Sequence, residues 1–133
     1  MERQNRTLQN DYFSNNPAFF VDIMPKELAP AKLETTIHLQ KAVHNTTRRF
    51  RAERAIKVIT AAAKKMMHTE VVKIDPELNS RIWIHGKNCP PARVRVVFER
   101  KADEEDAEKM VTIASYKNVA SFNGLQTQKV VDQ

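Results

Sequence analysis

Residues 73–101 read Lys-Ile-Asp-Pro-Glu-Leu-Asn-Ser-Arg-Ile-Trp-Ile-His-Gly-Lys-Asn-Cys-Pro-Pro-Ala-Arg-Val-Arg-Val-Val-Phe-Glu-Arg-Lys. Asp75 is a good N-cap, and Pro76 stands at the first helical position, where a missing N–H costs nothing. Glu77 lies in the first turn, where the helix dipole favours an anion. A short helix is predicted from Pro76 to about His85, with Gly86 taking the left-handed position that ends it. Lys87 to Pro91 is a rigid turn. From Ala92 to Lys101 the chain alternates, with Val94, Val96 and Phe98 on one face and Arg93, Arg95 and Glu99 on the other. Such a strand buries its first face and shows the two arginines either to water or to phosphate.

Upstream, Thr35 to Val43 reads as a first strand, in which Ile37, Leu39 and Val43 alternate with Thr36, His38 and Gln40. His44 to Thr47 is a turn, with Thr47 placed to cap the next helix. Arg48 to Met67 is that helix, and it is long. Ala52, Ala55, Ile56, Ile59, Ala62, Ala63, Met66 and Met67 fall at three- and four-residue spacing, a single apolar stripe. Its other side carries Arg48, Arg49, Arg51, Arg54, Lys57, Lys64 and Lys65, offset only by Glu53, which is spaced to pair with Lys57. Arginine crowding the first turn opposes the helix dipole. An external anion would remove that cost; a solvated face is the plainer reading. Glu70 to Ile74 is a second short strand.

Downstream, Ala102 to Glu108 is an acidic hairpin loop, and Lys109 to Tyr116 a last strand, with Val111 and Ile113 on one side and Met110, Thr112 and Ala114 on the other. A tail, residues 117–133, docks through Phe122 and Leu125. The whole reads as one α+β domain over residues 35–133, a small mixed or antiparallel sheet packed against one long helix and one short helix. Residues 1–34 form an extension interrupted by Pro17, Pro25 and Pro30. Tyr12, Phe13, Phe19, Phe20, Val21, Ile23 and Met24 make it apolar enough to fold back on the domain or to order on a partner.

The 133 residues carry a net charge of +6, distributed as −1 over residues 1–34, +10 over 35–101 and −3 over 102–133. Basicity therefore belongs to the body of the chain and points to an anionic partner. The single Cys89 rules out an internal disulfide and fits a reducing compartment. No secretory signal and no apolar run near the ~20 residues of a bilayer span is visible, so no membrane role and a cytosolic or nuclear location are expected.

Enzyme chemistry finds no support, and no cofactor is expected. The two glycines, Gly86 and Gly124, cannot build a phosphate-cradling loop. His85 and Cys89 lack the further ligands a zinc site requires, so no metal site is expected. What remains is surface for RNA. Arginine is over-used where planar, bidentate contact with phosphate would help: Arg48, Arg49, Arg51, Arg54, Arg81, Arg93 and Arg95. Trp83 either fills the core or stacks on a base. A flank built from three separate elements suits shaped RNA better than a regular duplex groove.

The chain resembles the L-thirty-one family of eukaryotic and archaeal large-subunit ribosomal proteins. Thr-Ile-His-Leu-Gln-Lys at 36–41, Arg-Arg-Phe-Arg-Ala-Glu-Arg-Ala-Ile-Lys at 48–57 and Ser-Phe-Asn-Gly-Leu-Gln-Thr at 121–127 carry it. Ile-Asp-Pro-Glu-Leu-Asn-Ser-Arg-Ile-Trp at 74–83, followed by Gly86, Pro91 and Arg-Val-Arg-Val at 93–96, is the most specific match. The resemblance implies a structural constituent of the large subunit near the nascent-chain exit, binding rRNA through the basic residues at 48–57, Lys57 among them, and through Arg81, Lys87, Arg93 and Arg95. It implies rRNA and neighbouring ribosomal proteins as partners, with nascent-chain chaperones and targeting factors beyond them, and no homo-oligomer. It also implies a ribosomal, cytoplasmic location with nucleolar assembly in a eukaryote. Where the family has glycines before the long helix, this chain has Asn45-Thr46-Thr47. The competing classes are a free-standing RNA-binding regulator and a metal-dependent nuclease.

Overall fold

The computed structural model describes residues 28–131. The apolar run between Tyr12 and Met24 lies outside them. Within them a five-stranded sheet has the order β2-β4-β3-β1-β5. The strands are β1 (Ala31–Ile37), β2 (Val71–Ile74), β3 (Val94–Ala102), β4 (Met110–Tyr116) and β5 (Gln128–Val130). All neighbours run antiparallel except β2 and β4, which are parallel. The helices are α1 (Leu39–Val43), α2 (Arg51–Met67) and α3 (Pro76–Ile82), with a 3-10 turn at Arg48–Phe50 leading into α2. The α+β reading holds.

The long helix packs as its stripe requires. Ala52, Ala55, Ile59, Ala63 and Met67 are buried against Leu78 and Ile82 of α3 and against Val94, Val96 and Phe98 of β3. Each fully buried leucine or isoleucine in this layer contributes about 1.5–3 kcal/mol. All three helices contribute to this core, so it lies on one side of the sheet. On β3 that side is the expected one, with Val94, Val96 and Phe98 no more than 2% exposed. On β4 it is Ala114 and Tyr116, which face Phe98 and Val96 in the ladder; Val111 and Ile113 lie on the opposite face.

Three local expectations are corrected. The first strand spans 31–37, not 35–43, and so takes in four residues read as extension. The chain then turns into α1, because Leu39 and Val43, four apart, both reach the core and His38 Nδ1 accepts from Lys41 N–H. Four-residue spacing is a helical period that the strand reading had absorbed. Neither Thr47 nor Asp75 caps through its side chain. Asp75 instead couples sheet to helix, its N–H donating to Ala114 O at 2.9 Å and its carbonyl accepting from Asn79 N–H. And α3 ends at Ile82, with Gly86 (φ +78°) donating to Trp83 O to close the turn.

Two other devices finish the fold. Arg100 donates Nη1 to Met67 O and Nε to Ala29 O, satisfying a carbonyl at the end of α2 that the helix leaves open. The acidic loop is the β3–β4 hairpin, where Lys73 Nζ meets Asp103 at 2.9 Å. The hydrogen bond from Lys73 holds the Asp103 carboxyl below its ordinary value, against the opposing effect of desolvation.

Candidate nucleic-acid interface

The basic residues come to one end of the sheet, where β1 stops, β3 begins and β4 finishes. Two backbone bonds gather them. Ala52 N–H donates to Lys87 O at 3.1 Å, pinning the 87–91 turn against the start of α2. Gln40 N–H donates to Ala92 O at 3.1 Å, pinning the same segment against α1. The prolines at 90 and 91 stiffen the link between them.

On one side of that link stand Arg48, Arg49 and Arg54, all exposed at the first turns of the long helix. The Arg49 guanidinium lies 6.0 Å from the centre of the half-exposed Phe50 ring. Arg51 is partly buried and donates Nε to Thr46 O, so it serves the turn first. Lys57 pairs with Glu53 at 2.8 Å, as the spacing predicted. On the other side, Arg81 lies 5.5 Å over the Tyr116 ring, and exposed Arg93 shares a hollow with it. Lys87 is exposed between the two groups. Among the described residues, Arg48, Arg49, Arg54, Arg81, Lys87 and Arg93 pair with no carboxylate. Unneutralised cations at a helix start raise the local potential and cost folding energy unless an anion arrives.

One expectation fails here, and one open alternative is decided. Arg95 is not displayed: it is 1% exposed, with Nη1 on Thr36 Oγ1 at 2.9 Å and Nη2 3.5 Å from Glu34 Oε2. Thr36 sits directly opposite Arg95 in the β1–β3 ladder and Glu34 two pairs along on the same face, so the strand that begins at Ala31 supplies the counter-ion. Lys117 binds the other Glu34 oxygen at 2.5 Å and is the main reason that carboxyl is held below its ordinary value. Trp83 does not fill the core either. It follows α3 at 40% exposure, beside Ile84 at 55%. The sequence reading also missed Tyr116, Phe122 and His38, which line the Arg81–Arg93 hollow. No local pattern marks them, because they arrive from the end of β4, the tail and the β1–α1 corner.

No three His, Cys, Asp or Glu side chains gather as a metal site would require among the described residues. Nor is any described helix long and apolar enough to cross a membrane.

A family model for ribosomal protein L31e matches residues 30–109, from just before β1 through the acidic hairpin. The chain belongs to the ribosomal protein L31e family. It is 45% identical over 101 residues to the large ribosomal subunit protein eL31 of Dictyostelium discoideum, a match covering 74% of this chain and 91% of that one. It is 48% identical over 99 residues to the eL31 of Cyanophora paradoxa, covering 73% and 83%, and 43% identical over 99 residues to that of Drosophila melanogaster, covering 73% and 80%. L31e proteins are structural ribosomal proteins and not enzymes, so the nuclease reading falls.

Proposed function

We propose that this L31e chain is a structural constituent of the large ribosomal subunit that binds rRNA through the basic end of its sheet. The observation that carries this is the convergence of Arg48, Arg49 and Arg54 with Lys87, Arg81 and Arg93 through the two bonds at Lys87 and Ala92. Cations with no carboxylate partner bind phosphates and release counterions, which gives affinity without sequence reading. Exposed Trp83 adds a face on which a base stacks. Arg95 takes no part in this surface, since its guanidinium is already bound inside the protein. The names of the relatives support the subunit, and with it rRNA and neighbouring ribosomal proteins as partners.

The site near the nascent-chain exit, contact with chaperones and targeting factors there, and nucleolar assembly follow from the family resemblance. A sucrose gradient of cell extract, probed for this chain after a high-salt wash, tests the proposal. The expected result is stoichiometric presence in large-subunit and polysome fractions. Presence only at the top of the gradient overturns it in favour of a free RNA-binding regulator.

A further inference from the structure

The hollow at the start of β3 differs from the rest of the basic end. Arg48, Arg49 and Arg54 stand exposed at the helix start, suited to a phosphate backbone. The hollow is concave, with a volume of ≈ 430 Å³, inside the range of about 300–1,000 Å³ typical of small-ligand pockets. Arg81 and Arg93 line it together with the rings of Tyr116 and Phe122. Arg81 lies over Tyr116, so its planar guanidinium is already backed by an aromatic ring. Polar groups complete the lining. Asn118 is held near the Tyr116 hydroxyl at 3.4 Å. His38 uses Nδ1 as an acceptor from Lys41 N–H, so in the neutral ring Nε2 carries the proton and serves as a donor.

We propose that this hollow takes one unpaired nucleotide of RNA, its base stacked on the Arg81–Tyr116 platform and its phosphate met by Arg93. This deepens the rRNA reading and rests on it. A duplex does not fit a concavity of this size, whereas a base turned out of a loop or bulge does. Stacking on a guanidinium plane and an aromatic ring is tolerant of base identity, and His38 and Asn118 supply a donor and an amide for the base edge. An acidic peptide would use the two arginines but leave the stacked platform idle, so RNA is the better match.

The test compares two ligands of the full chain at one salt concentration: an oligouridylate of about six nucleotides, and a chain of equal length in which every nucleoside is abasic. Both offer the same phosphates. The expected result is about tenfold tighter binding of the oligouridylate, the order of one stacked base. Arg81→Lys, which keeps the charge and removes the plane, is expected to bring the ratio of the two affinities towards one. Replacing Arg48, Arg49 and Arg54 together is expected to weaken both ligands and preserve the ratio. Equal binding of both ligands by the unaltered chain overturns the subsite while leaving the rRNA reading standing. A ratio unchanged in Arg81→Lys also overturns it, and puts the base elsewhere, on Trp83. So does displacement of the oligouridylate by an oligoglutamate of equal charge as effectively as by RNA. Failure to bind either ligand, in a chain also absent from large subunits, removes both readings.

Discussion

Arg95 and Glu34 meet across the β1–β3 ladder, guanidinium nitrogen 3.5 Å from carboxylate oxygen, with the arginine side chain 2% and the glutamate 12% exposed. A charge this deeply placed is tolerable only because it is paired: loss of Glu34 leaves the Arg95 guanidinium buried with Thr36 alone, whereas loss of Arg95 leaves Glu34 still paired with Lys117. Glu34→Ala is therefore expected to destabilise the domain by about 3 kcal/mol, and Arg95→Met by much less. Urea denaturation of the two variants beside the unaltered chain measures the difference. Equal losses would show that the pair contributes by packing alone.

The same carboxyl gives stability a pH dependence. Lys117 and Arg95 hold Glu34 below the ordinary value of 4.5, so the folded state keeps it ionised at a pH where the unfolded chain has begun to protonate it. Its contribution is complete above about pH 4.5 and is lost as pH falls through the lower folded value. Thermal melts between neutral and acid pH are expected to show a decline in this window that is shallower in Glu34→Gln. An identical decline in both proteins would assign it to other groups.

Much of the architecture could be read from the chain. Period-two alternation gave the core face of β3, and three- and four-residue spacing gave the buried stripe of α2, because both patterns are local. What escaped depended on partners distant in sequence. Nothing in Arg-Val-Arg-Val shows that Glu34 lies across from it, so Arg95 looked free. Trp83 looked like core because tryptophan is costly to expose, yet it falls just beyond the last turn of α3, where Leu78 and Ile82 already fill the core. β5 is three residues long and exists through its pairing with β1.

Where β1 begins decides what truncation does. Every described element begins after residue 27. Removing 1–34 takes away the half of β1 that pairs with Val97–Arg100 and with β5, together with the Glu34 counter-ion. The longer truncation is expected to melt at a clearly lower temperature than the shorter one. Equal melting temperatures would mean that residues 28–34 contribute little to the sheet.

Arg100 lies opposite Ala31, at the far end of β3 from the basic residues. It ties the last turn of α2 to the segment before β1 through Met67 O and Ala29 O. Arg100→Ala is expected to cost about 2 kcal/mol, in the range for hydrogen bonds from a charged donor. It should leave RNA affinity unchanged when compared at a temperature where both proteins are folded. A loss of RNA affinity in the folded variant would move Arg100 into the interface.

The most direct test is the salt dependence of binding to large-subunit rRNA. Each phosphate contact contributes a slope of roughly 0.7–0.9 in log affinity against log salt. Replacing Arg48, Arg49 and Arg54 with Gln is expected to reduce the slope by about 2 to 3, while Arg95→Met leaves it unchanged. An unchanged slope in the triple variant, or a fall in Arg95→Met as large as that for one exposed arginine, would contradict the basic end as the RNA-binding surface.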